Sequence, residues 1–318
     1  TPLRELSDRV AKADVHLFKP RDAYRVNDTG PGGEYAPEGK PSGAIIHYYT
    51  QKADKVLLEI LDSKNNVAHT FTTDSSMAKK PGFTIIKSKD GMQRLVWNLT
   101  YPGPEMVESA VVWGYTGGIK APPGTYTIRL KKGSEIITHN FEVLSDPRIP
   151  EVTNEDFMAQ YEFSKQVRDS INQIQNVLRE VDALKEQLDW FAERAKENDM
   201  NPEIQTMADE LEHKLTTYQN KLNQTNNQSN QDPIRFPPRI DNQYLELYKF
   251  ATGPDGYISG GAEGRPLQSA YKRSADLNSE WVVLKKEYQE ILIKYLPAFN
   301  EAIQGGDIRA LTQPKKDY

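Results

Sequence analysis

A change in the spacing of apolar residues at Asp146-Pro147-Arg148 constrains the fold more than any other feature of this sequence. From about Ala44 to Leu144, apolar residues alternate with polar ones between Gly, Pro and Asp-Gly turns. From Asn154 to about Ile303, they recur every three and four positions. The first period is typical of half-buried strands and the second of amphipathic helices. The sequence therefore predicts two dissimilar modules joined end to end.

The length and composition exclude several classes of protein. A chain of 318 residues can bury two cores of ordinary domain size. The formal net charge of −5 is small, and Lys and Arg are spread along the chain, which argues against a nucleic-acid-binding face. No run of 18 apolar residues occurs, so no membrane span is predicted. The absence of cysteine excludes disulfides, thiolate nucleophiles and Cys-ligated metals.

The first module is predicted to be an antiparallel β-sandwich over residues 44–146, because short strand candidates follow one another with turn signals between them. The candidates are Ala44–Thr50, Val56–Leu61, Val67–Thr72, Phe83–Lys87, Gln93–Leu99, Glu108–Trp113, Thr125–Leu130 and Glu135–Leu144. Residues 1–43 are rich in Pro and Gly and are predicted to be an extended linker, in which Val15–Phe18 is the strand candidate.

The second module is predicted to be an elongated antiparallel helical bundle of three long helices and one short one, over residues 147–304. The first helix begins near Asn154 and meets no Pro or Gly before Asn198. Pro202 opens the second helix, residues 242–251 form the short one, and Pro266 opens the third long helix. Pro297 is expected to kink or end that helix. Residues 305–318 are predicted to be a tail.

No catalytic or metal site is predicted from the motifs. The five histidines have no paired spacing, and the acid pairs lie on helices, where solvated faces are the usual explanation. Neither a nucleophile elbow nor a phosphate-binding loop occurs. The Gly-rich loop Gly253–Gly264 could offer oxygens of Asp255 and Glu263 to calcium, but its spacing matches no EF-hand, so a flexible helix connector is predicted.

Three aromatic residues are the candidates for binding a ligand or partner. Tyr101, Trp113 and Tyr115 lie near the turn Gly114–Lys120, where rings at the loop end of a sandwich can stack on a sugar or anchor a protein. The competing interpretation places Trp113 in the core with Tyr115 covering it. Trp190 and Trp281 are predicted to pack inside the bundle.

Several segments of the first module resemble one setting in known proteins. They are Pro41–Ile46 (PSGAII), Leu58–Asp62 (LEILD), Gly91–Leu99 (GMQRLVWNL) and Ala121–Tyr126 (APPGTY), with Thr1–Leu6 and Asp14–Val26 before them. This pattern is similar to the region that follows the propeller in bacterial β-propeller proteins with BNR (sialidase-type) or sortilin-like repeats, often labelled glycosyl hydrolases. The resemblance implies a fibronectin-III or immunoglobulin-like sandwich. It also implies a secreted, periplasmic or cell-surface location, and a propeller before Thr1 that would hold any glycosidase chemistry.

Residues and resemblance together predict a non-catalytic accessory or interaction fragment of such a propeller protein. Its partner would be a protein of the envelope or the parent propeller, and its role protein–protein contact or structural support. The alternative is a carbohydrate-binding accessory module of a glycoside hydrolase. No cofactor is predicted, and the sequence leaves the oligomeric state open, although the heptad-like stripe of the helices suits docking or self-association.

Overall fold

The computed structural model describes residues 2–26, 41–108, 110–197, 201–229, 231–252, 262–303 and 310–313. The chain is a β + α protein that divides into two compact units. The first, called the sheet unit, comprises Thr1–Pro104, Thr116–Gln166 and Lys249–Pro266. The second, called the helical unit, comprises Glu105–Tyr115, Val167–Tyr248 and Leu267–Tyr318. Each unit combines segments that are far apart in the sequence, so the contacts of the structure cross the predicted boundary near residue 146.

The strands described in the sheet unit form three sheets. The strands are β1 (Val15–Leu17), β2 (Ala23–Tyr24), β3 (Ala44–Thr50), β4 (Leu57–Leu61), β5 (Val67–Thr72), β6 (Phe83–Ile85), β7 (Gly91–Trp97), β8 (Thr100–Tyr101), β9 (Ile119–Lys120), β10 (Gly124–Lys132) and β11 (Glu135–Leu144). Their orders are β1-β3-β7, β2-β11-β10-β4-β5-β6 and β8-β9. All neighbouring strands are antiparallel except the pairs β2–β11 and β5–β6, which are parallel.

The core of the sheet unit is built around Trp97. Alternation of buried and less buried residues along β3 and β10 directs every second side chain inward. The fully buried ring of Trp97, on the three-stranded sheet, lies 5.2 Å from the ring of Tyr126 and 6.3 Å from that of Phe141. Because Tyr126 and Phe141 belong to the six-stranded sheet, side chains of both sheets meet in one core.

The strand candidate Val15–Phe18 forms β1 at Val15–Leu17 and pairs with β3. No strand was predicted at Ala23–Tyr24, which pairs with β11. A strand of two residues is too short to give a readable period. The prediction of a strand at Glu108–Trp113 is wrong, since its described residues lie in no strand. Their backbone groups are bonded to side chains of the helical unit instead.

The helices of the second half begin and end close to the predicted positions. They are α3 (Asn154–Glu197), α4 (Pro202–Leu222), α5 (Ile240–Ala251), α6 (Gln268–Glu290) and α7 (Leu296–Ala302), and two short helices, α1 (Pro2–Glu5) and α2 (Asp8–Lys12), precede them in the chain. Thr153 and Asp156 cap the start of α3 reciprocally: the Asp156 N–H donates to Thr153 Oγ1, and the Thr153 N–H donates to Asp156 Oδ2. None of the helices described combines the length and the apolar run that crossing a bilayer requires.

A π-helical turn at Ile291–Tyr295 connects α6 to α7. It ends two residues before Pro297, which has no N–H and cannot continue the α-helical bonding. The expected break at Pro297 therefore takes the form of a π turn, a common way to accommodate an irregularity inside a helix. The chain continues as helix to Ala302, and Leu296 and Phe299 are buried.

Three long helices of the helical unit pack side by side. On α3 and α6, Gln173 contacts Trp281 and Glu180 contacts Tyr288, so these two helices run in the same direction. On α4 and α6, the rings of Tyr218 and Tyr288 stack with centroids 5.4 Å apart. Lys221 pairs with Glu287, one residue before Tyr288, and Lys214 lies over the ring of Tyr295. Residue numbers therefore rise along α4 where those of its contacts from α6 to Tyr295 fall. The helices α4 and α6 are antiparallel.

A buried ion pair holds the last segment of the sheet unit in place. The Arg25 guanidinium is buried and donates to Glu263 Oε2 from Nη2 at 2.7 Å and from Nε at 3.0 Å. Its remaining donors reach Gln160 Oε1 at 2.5 Å and the Ala121 carbonyl at 3.2 Å. Lys120 Nζ lies 3.0 Å from the second oxygen of Glu263. Paired and hydrogen-bonded in this way, the buried charges are tolerated.

We expect Arg25→Ala to destabilise the protein by about 3–5 kcal/mol, because it leaves the Glu263 carboxylate in a buried site without its main partner. The matched control is Arg265→Ala, which removes the surface pair Arg265–Asp156, whose Arg side chain is 55% exposed. That control should cost less than about 1 kcal/mol. Urea denaturation followed by circular dichroism measures both. Equal costs for the two variants would contradict a stabilising role for the Arg25–Glu263 pair.

Candidate functional site

Residues 105–115, here named the Trp113 segment, run along the helical unit without forming a helix or strand in their described part. Its first half is bonded to α3. The N–H of Glu105 donates to Asn172 Oδ1 at 2.8 Å, and the N–H of Val107 donates to Gln175 Oε1 at 2.9 Å. Arg179 Nη2 donates to the Glu105 carbonyl at 2.7 Å. Spacings of three and four place the three side chains on one face of α3.

The second half of the Trp113 segment is bonded to the residues around α5. Asn227 Nδ2 donates to the Val111 carbonyl at 2.9 Å. The N–H of Trp113 donates to Oδ1 of Asn242, in the first turn of α5, at 2.8 Å. Counting the three bonds to α3, five side chains bind the backbone of this segment. A loop bonded at both halves in this way has its course fixed by the helices beneath it.

Gly114 and Tyr115 bring the end of the segment close to α5. Gly114 has φ +135°, and a Cβ at this position would lie 2.8 Å from the Leu245 Cβ. Only glycine fits this backbone and this approach. The Tyr115 ring stacks on the Tyr248 ring at 5.7 Å between centroids and 25° between planes. Burial raises the pKa of Tyr248 well above its ordinary value, so this phenol stays neutral.

The structure assigns different environments to the three candidate aromatic residues. Trp113 is 41% exposed, so the interpretation of Trp113 as a core residue is wrong. Tyr115 is half-buried on Tyr248. Tyr101 belongs to the sheet unit, where it is buried with its ring 4.8 Å from that of Tyr161. Of the three, Trp113 is therefore the most exposed residue, and its backbone is fixed.

Of the two tryptophans predicted to pack inside the bundle, one is buried and one is exposed. Trp281 is buried in the helical unit and its Nε1–H donates to Gln173 Oε1 at 3.2 Å, which confirms its packing role. Trp190 is 45% exposed, and the Arg194 guanidinium lies 5.1 Å from its ring centroid. The expectation that Trp190 packs inside the bundle is therefore wrong. Its exposure makes it a useful comparison for Trp113.

The residues considered for metal binding have other roles. Among the described residues, no three His, Asp or Glu side chains come together as metal ligands. Asp255 of the Gly-rich loop lies outside the described part of the chain, and Glu263 is paired with Arg25 and Lys120. Burial lowers the pKa of His69 to about 4, and its Nε2 lies 2.9 Å from Thr84 Oγ1. The His69 imidazole is therefore neutral at neutral pH and packs against its neighbours, which accounts for its position without a metal ion.

A cleft of about 710 Å³ lies against β4, β5 and β6 in the sheet unit. Met77, Phe83 and Pro102 contribute apolar surface to its lining. Glu59, also in the lining, lies 2.9 Å from both Arg129 Nε and Lys131 Nζ. Because this carboxylate is already paired with two cations, the cleft is better suited to contact with an apolar group than to proton transfer.

The buried carboxyl group of Asp241 supports the residue that holds Trp113. Asp241 lies in the first turn of α5, where its Oδ1 accepts the N–H of Asn242 at 2.6 Å and its Oδ2 accepts from Asn223 Nδ2 at 2.8 Å. Burial raises the pKa of Asp241 from its ordinary 3.8 to about 7, although both hydrogen bonds favour the ionised form. The anchor of the Trp113 backbone thus adjoins a group that titrates near neutral pH.

Sequence reasoning missed the polar residues that build this site. Asn172, Gln175, Asn227 and Asn242 lie in the predicted helical half, where Asn and Gln are ordinary surface residues. The available signal was the run of Asn172, Gln175 and Arg179 on one face of α3 beside its apolar stripe. That pattern indicates a face that binds something polar, but not what it binds.

Comparisons of this chain with models of protein families, with curated proteins and with solved structures find no match. The resemblance to the region after a bacterial propeller therefore stays a prediction.

We expect Gly114→Ala to release the end of the Trp113 segment, because the added Cβ meets Leu245 and the positive φ is strained for alanine. The free energy of unfolding should fall by about 2 kcal/mol or more. Hydrogen exchange at the Trp113 amide should accelerate. Gly133→Ala is the control, since Gly133 also has a positive φ but open space around its Cβ position. Unchanged exchange in Gly114→Ala would contradict the close approach to α5.

We expect Asp241→Asn to remove a pH dependence from stability. The unfolded carboxyl ionises near 3.8 and the folded one near 7, so unfolding releases a proton between these values. Wild-type stability from this group is therefore complete below about pH 4 and declines as the pH rises to about 7. Relative to Asp241→Asn, the wild type should lose about 3 kcal/mol between about pH 5 and about pH 8. Parallel curves for the two proteins in urea denaturation would exclude the raised pKa.

Proposed function

We propose that this chain is a non-catalytic accessory and interaction module that serves protein–protein contact through the helical unit. One observation carries the proposal: Trp113 is exposed although its backbone is fixed by bonds from α3, α5 and Asn227. Tryptophan is among the residues that most often dominate binding energy at protein interfaces. A backbone that is already ordered loses little entropy on binding.

The exposed part of Trp113 is large enough to matter for affinity. Trp113 exposes about two fifths of its surface as a residue. Covering that area would contribute about 2 kcal/mol at roughly 25 cal/mol per Å² of apolar surface. This corresponds to more than a tenfold gain in affinity. The fixed backbone also holds the Cα of Trp113 in one place, which suits a partner with a matching pocket.

We further propose that the sheet unit is a fibronectin-III or immunoglobulin-like sandwich and the helical unit an elongated antiparallel bundle. Support for the sandwich comes from Trp97, which joins two sheets in one core. The Tyr126 hydroxyl donates to the Pro122 carbonyl four residues upstream at 2.9 Å, similar to the tyrosine corner of such sandwiches. Support for the bundle comes from the alternating directions of α3, α4 and α6 described above.

The setting that we propose is a secreted, periplasmic or cell-surface protein in which a propeller precedes this chain. The resemblance of Pro41–Ile46, Gly91–Leu99 and Ala121–Tyr126 supports it. In that setting the partner is an envelope protein or the parent propeller, and any glycosidase chemistry belongs to the propeller. The sandwich and the helices would then support the propeller and contact the partner protein.

The alternative function is carbohydrate binding. The same exposed indole favours it, because the face of a tryptophan ring can stack on a sugar ring. The buried position of Tyr101 removes one of the three rings that were candidates for this surface. Tyr115 keeps part of its surface accessible two residues from Trp113, so both remain the residues to test.

The proposal is tested by comparing Trp113→Ala with Trp190→Ala, an equally exposed tryptophan elsewhere in the helical unit. A partner is first captured from an envelope or secreted fraction with the wild-type chain, and its affinity is then measured as a purified pair. We expect Trp113→Ala to weaken binding at least tenfold, about 1.4 kcal/mol, and Trp190→Ala to leave it unchanged. An affinity that is indifferent to Trp113→Ala would overturn the proposal.

A glycan array separates the two functions. Binding of an oligosaccharide by the wild-type chain that is lost in Trp113→Ala or Tyr115→Ala, with no protein partner dependent on Trp113, would favour the carbohydrate-binding alternative. Turnover of chromogenic glycosides by the 318-residue chain alone would show that it is an enzyme. The partner-binding and glycan-binding assays use the same purified variants, so a variant that loses one kind of binding and keeps the other has not lost its fold.

A further inference from the structure

A second extended stretch of the helical unit, residues 310–313, is held in a groove between α3 and α7. The side-chain amide of Asn300 binds both backbone groups of Leu311. The N–H of Leu311 donates to Asn300 Oδ1 at 2.8 Å, and Asn300 Nδ2 donates to the Leu311 carbonyl at 2.9 Å. In an antiparallel sheet, the N–H and C=O of one residue are bonded in the same way by a single residue of the neighbouring strand.

The next residue is held in the same way from the opposite side. The N–H of Thr312 donates to Gln187 Oε1 at 2.9 Å, and Gln187 Nε2 donates to the Thr312 carbonyl at 3.0 Å. Backbone groups of neighbouring residues in an extended chain point in opposite directions. Asn300 on α7 and Gln187 on α3 therefore contact the two edges of the segment, and four consecutive backbone groups are satisfied by two amides.

Two side chains of the segment are recognised as well. Leu311 is buried, whereas Ala310, Thr312 and Gln313 are exposed. Gln313 Nε2 donates to Glu180 Oε2 at 2.8 Å. Glu180 is itself buried and also accepts the Tyr288 hydroxyl at 3.0 Å, which fixes its position. Glu180 and Gln187 are seven residues apart, two turns along one face of α3.

We infer that the groove between α3 and α7 is a peptide-recognition site for an extended segment with an aliphatic residue followed two positions later by Gln. Residues 310–313 are its occupant within the chain. This inference rests on the proposed contact function and names the class of ligand that the helical unit takes. Backbone bonds from Asn300 and Gln187 give affinity, and Leu311 and Gln313 give the specificity.

The sequence around the occupant suits an exchangeable ligand. Pro314 follows Gln313 and favours an extended backbone at that residue before any binding occurs. Only residues 304–309 connect the end of the helical part to the bound stretch, so its effective concentration at the groove is on the order of millimolar. A peptide added from outside can bind strongly only when the chain's own segment is displaced.

The experiment uses the full chain with Leu311→Asp, which places a charge at a buried position and displaces the segment. A fluorescent peptide with the sequence of residues 308–315 is titrated into this variant and into the wild type, and anisotropy is measured. We expect the variant to bind the peptide at least tenfold more tightly than the wild type, whose own segment competes. Adding Asn300→Ala to the variant should weaken binding at least tenfold.

Changes in the peptide test the specificity. Replacing its Leu311 or Gln313 by Ala should weaken binding at least tenfold, while replacing the exposed Thr312 by Ala should leave it unchanged. Equal binding of all these peptides, or no binding to a Leu311→Asp chain with wild-type helical content, would overturn the inference.

A second variant covers the case in which Leu311→Asp loses helical content. Thr312→Pro removes the N–H that donates to Gln187 but keeps the leucine contact. Loss of helical content in both variants would show that residues 310–313 are a fixed part of the fold, and would also overturn the inference. None of these outcomes involves Trp113, so the peptide site can fail while the proposed contact function stands.

Discussion

Buried backbone N–H and C=O groups need hydrogen-bond partners, and this constraint governs how extended chain can lie on helices. A helix offers no free backbone edge along its sides, because its own groups are bonded internally. In the helical unit, side-chain amides supply what a partner strand would supply in a sheet. Asn172, Gln175, Asn227 and Asn242 do so for the Trp113 segment, and Gln187 and Asn300 for residues 310–313. The surface functions proposed for the unit depend on these amides.

The sequence predicted the elements that a local spacing of apolar residues defines. The start of α3 at Asn154 and of α4 at Pro202 was predicted because capping residues precede long apolar stripes. Strands β3 and β5 matched the prediction because alternation and turns define them. The strand predicted at Glu108–Trp113 failed for the opposite reason. The side chains that bind its backbone at Val111 and Trp113 lie 116 and 129 residues further along the chain, and nothing local distinguishes it from an edge strand.

The site was predicted in part. Choosing Trp113 and Tyr115 required only aromatic residues beside a glycine turn, whereas separating Trp113 from Tyr101 required knowledge of burial, which one sequence does not contain. Glu263 is the clearest case of missing information. Its place in a Gly-rich loop suggested a calcium ligand, and its actual partner, Arg25, is 238 residues away. Pairings of that kind leave no trace in spacing or composition.

The discontinuity of both units has a consequence for how the protein is made. A ribosome delivers the chain from its first residue onward, yet the sheet unit needs Glu263 and the Trp113 segment needs helices that follow it. Neither unit can be completed during most of the synthesis, and large loops must close before native contacts form. Division of the gene at residue 146, where the periodicity changes, would separate Arg25 from its counter-ion. Arg25 and its counter-ion therefore have to be present in one polypeptide before the core of the sheet unit can be completed.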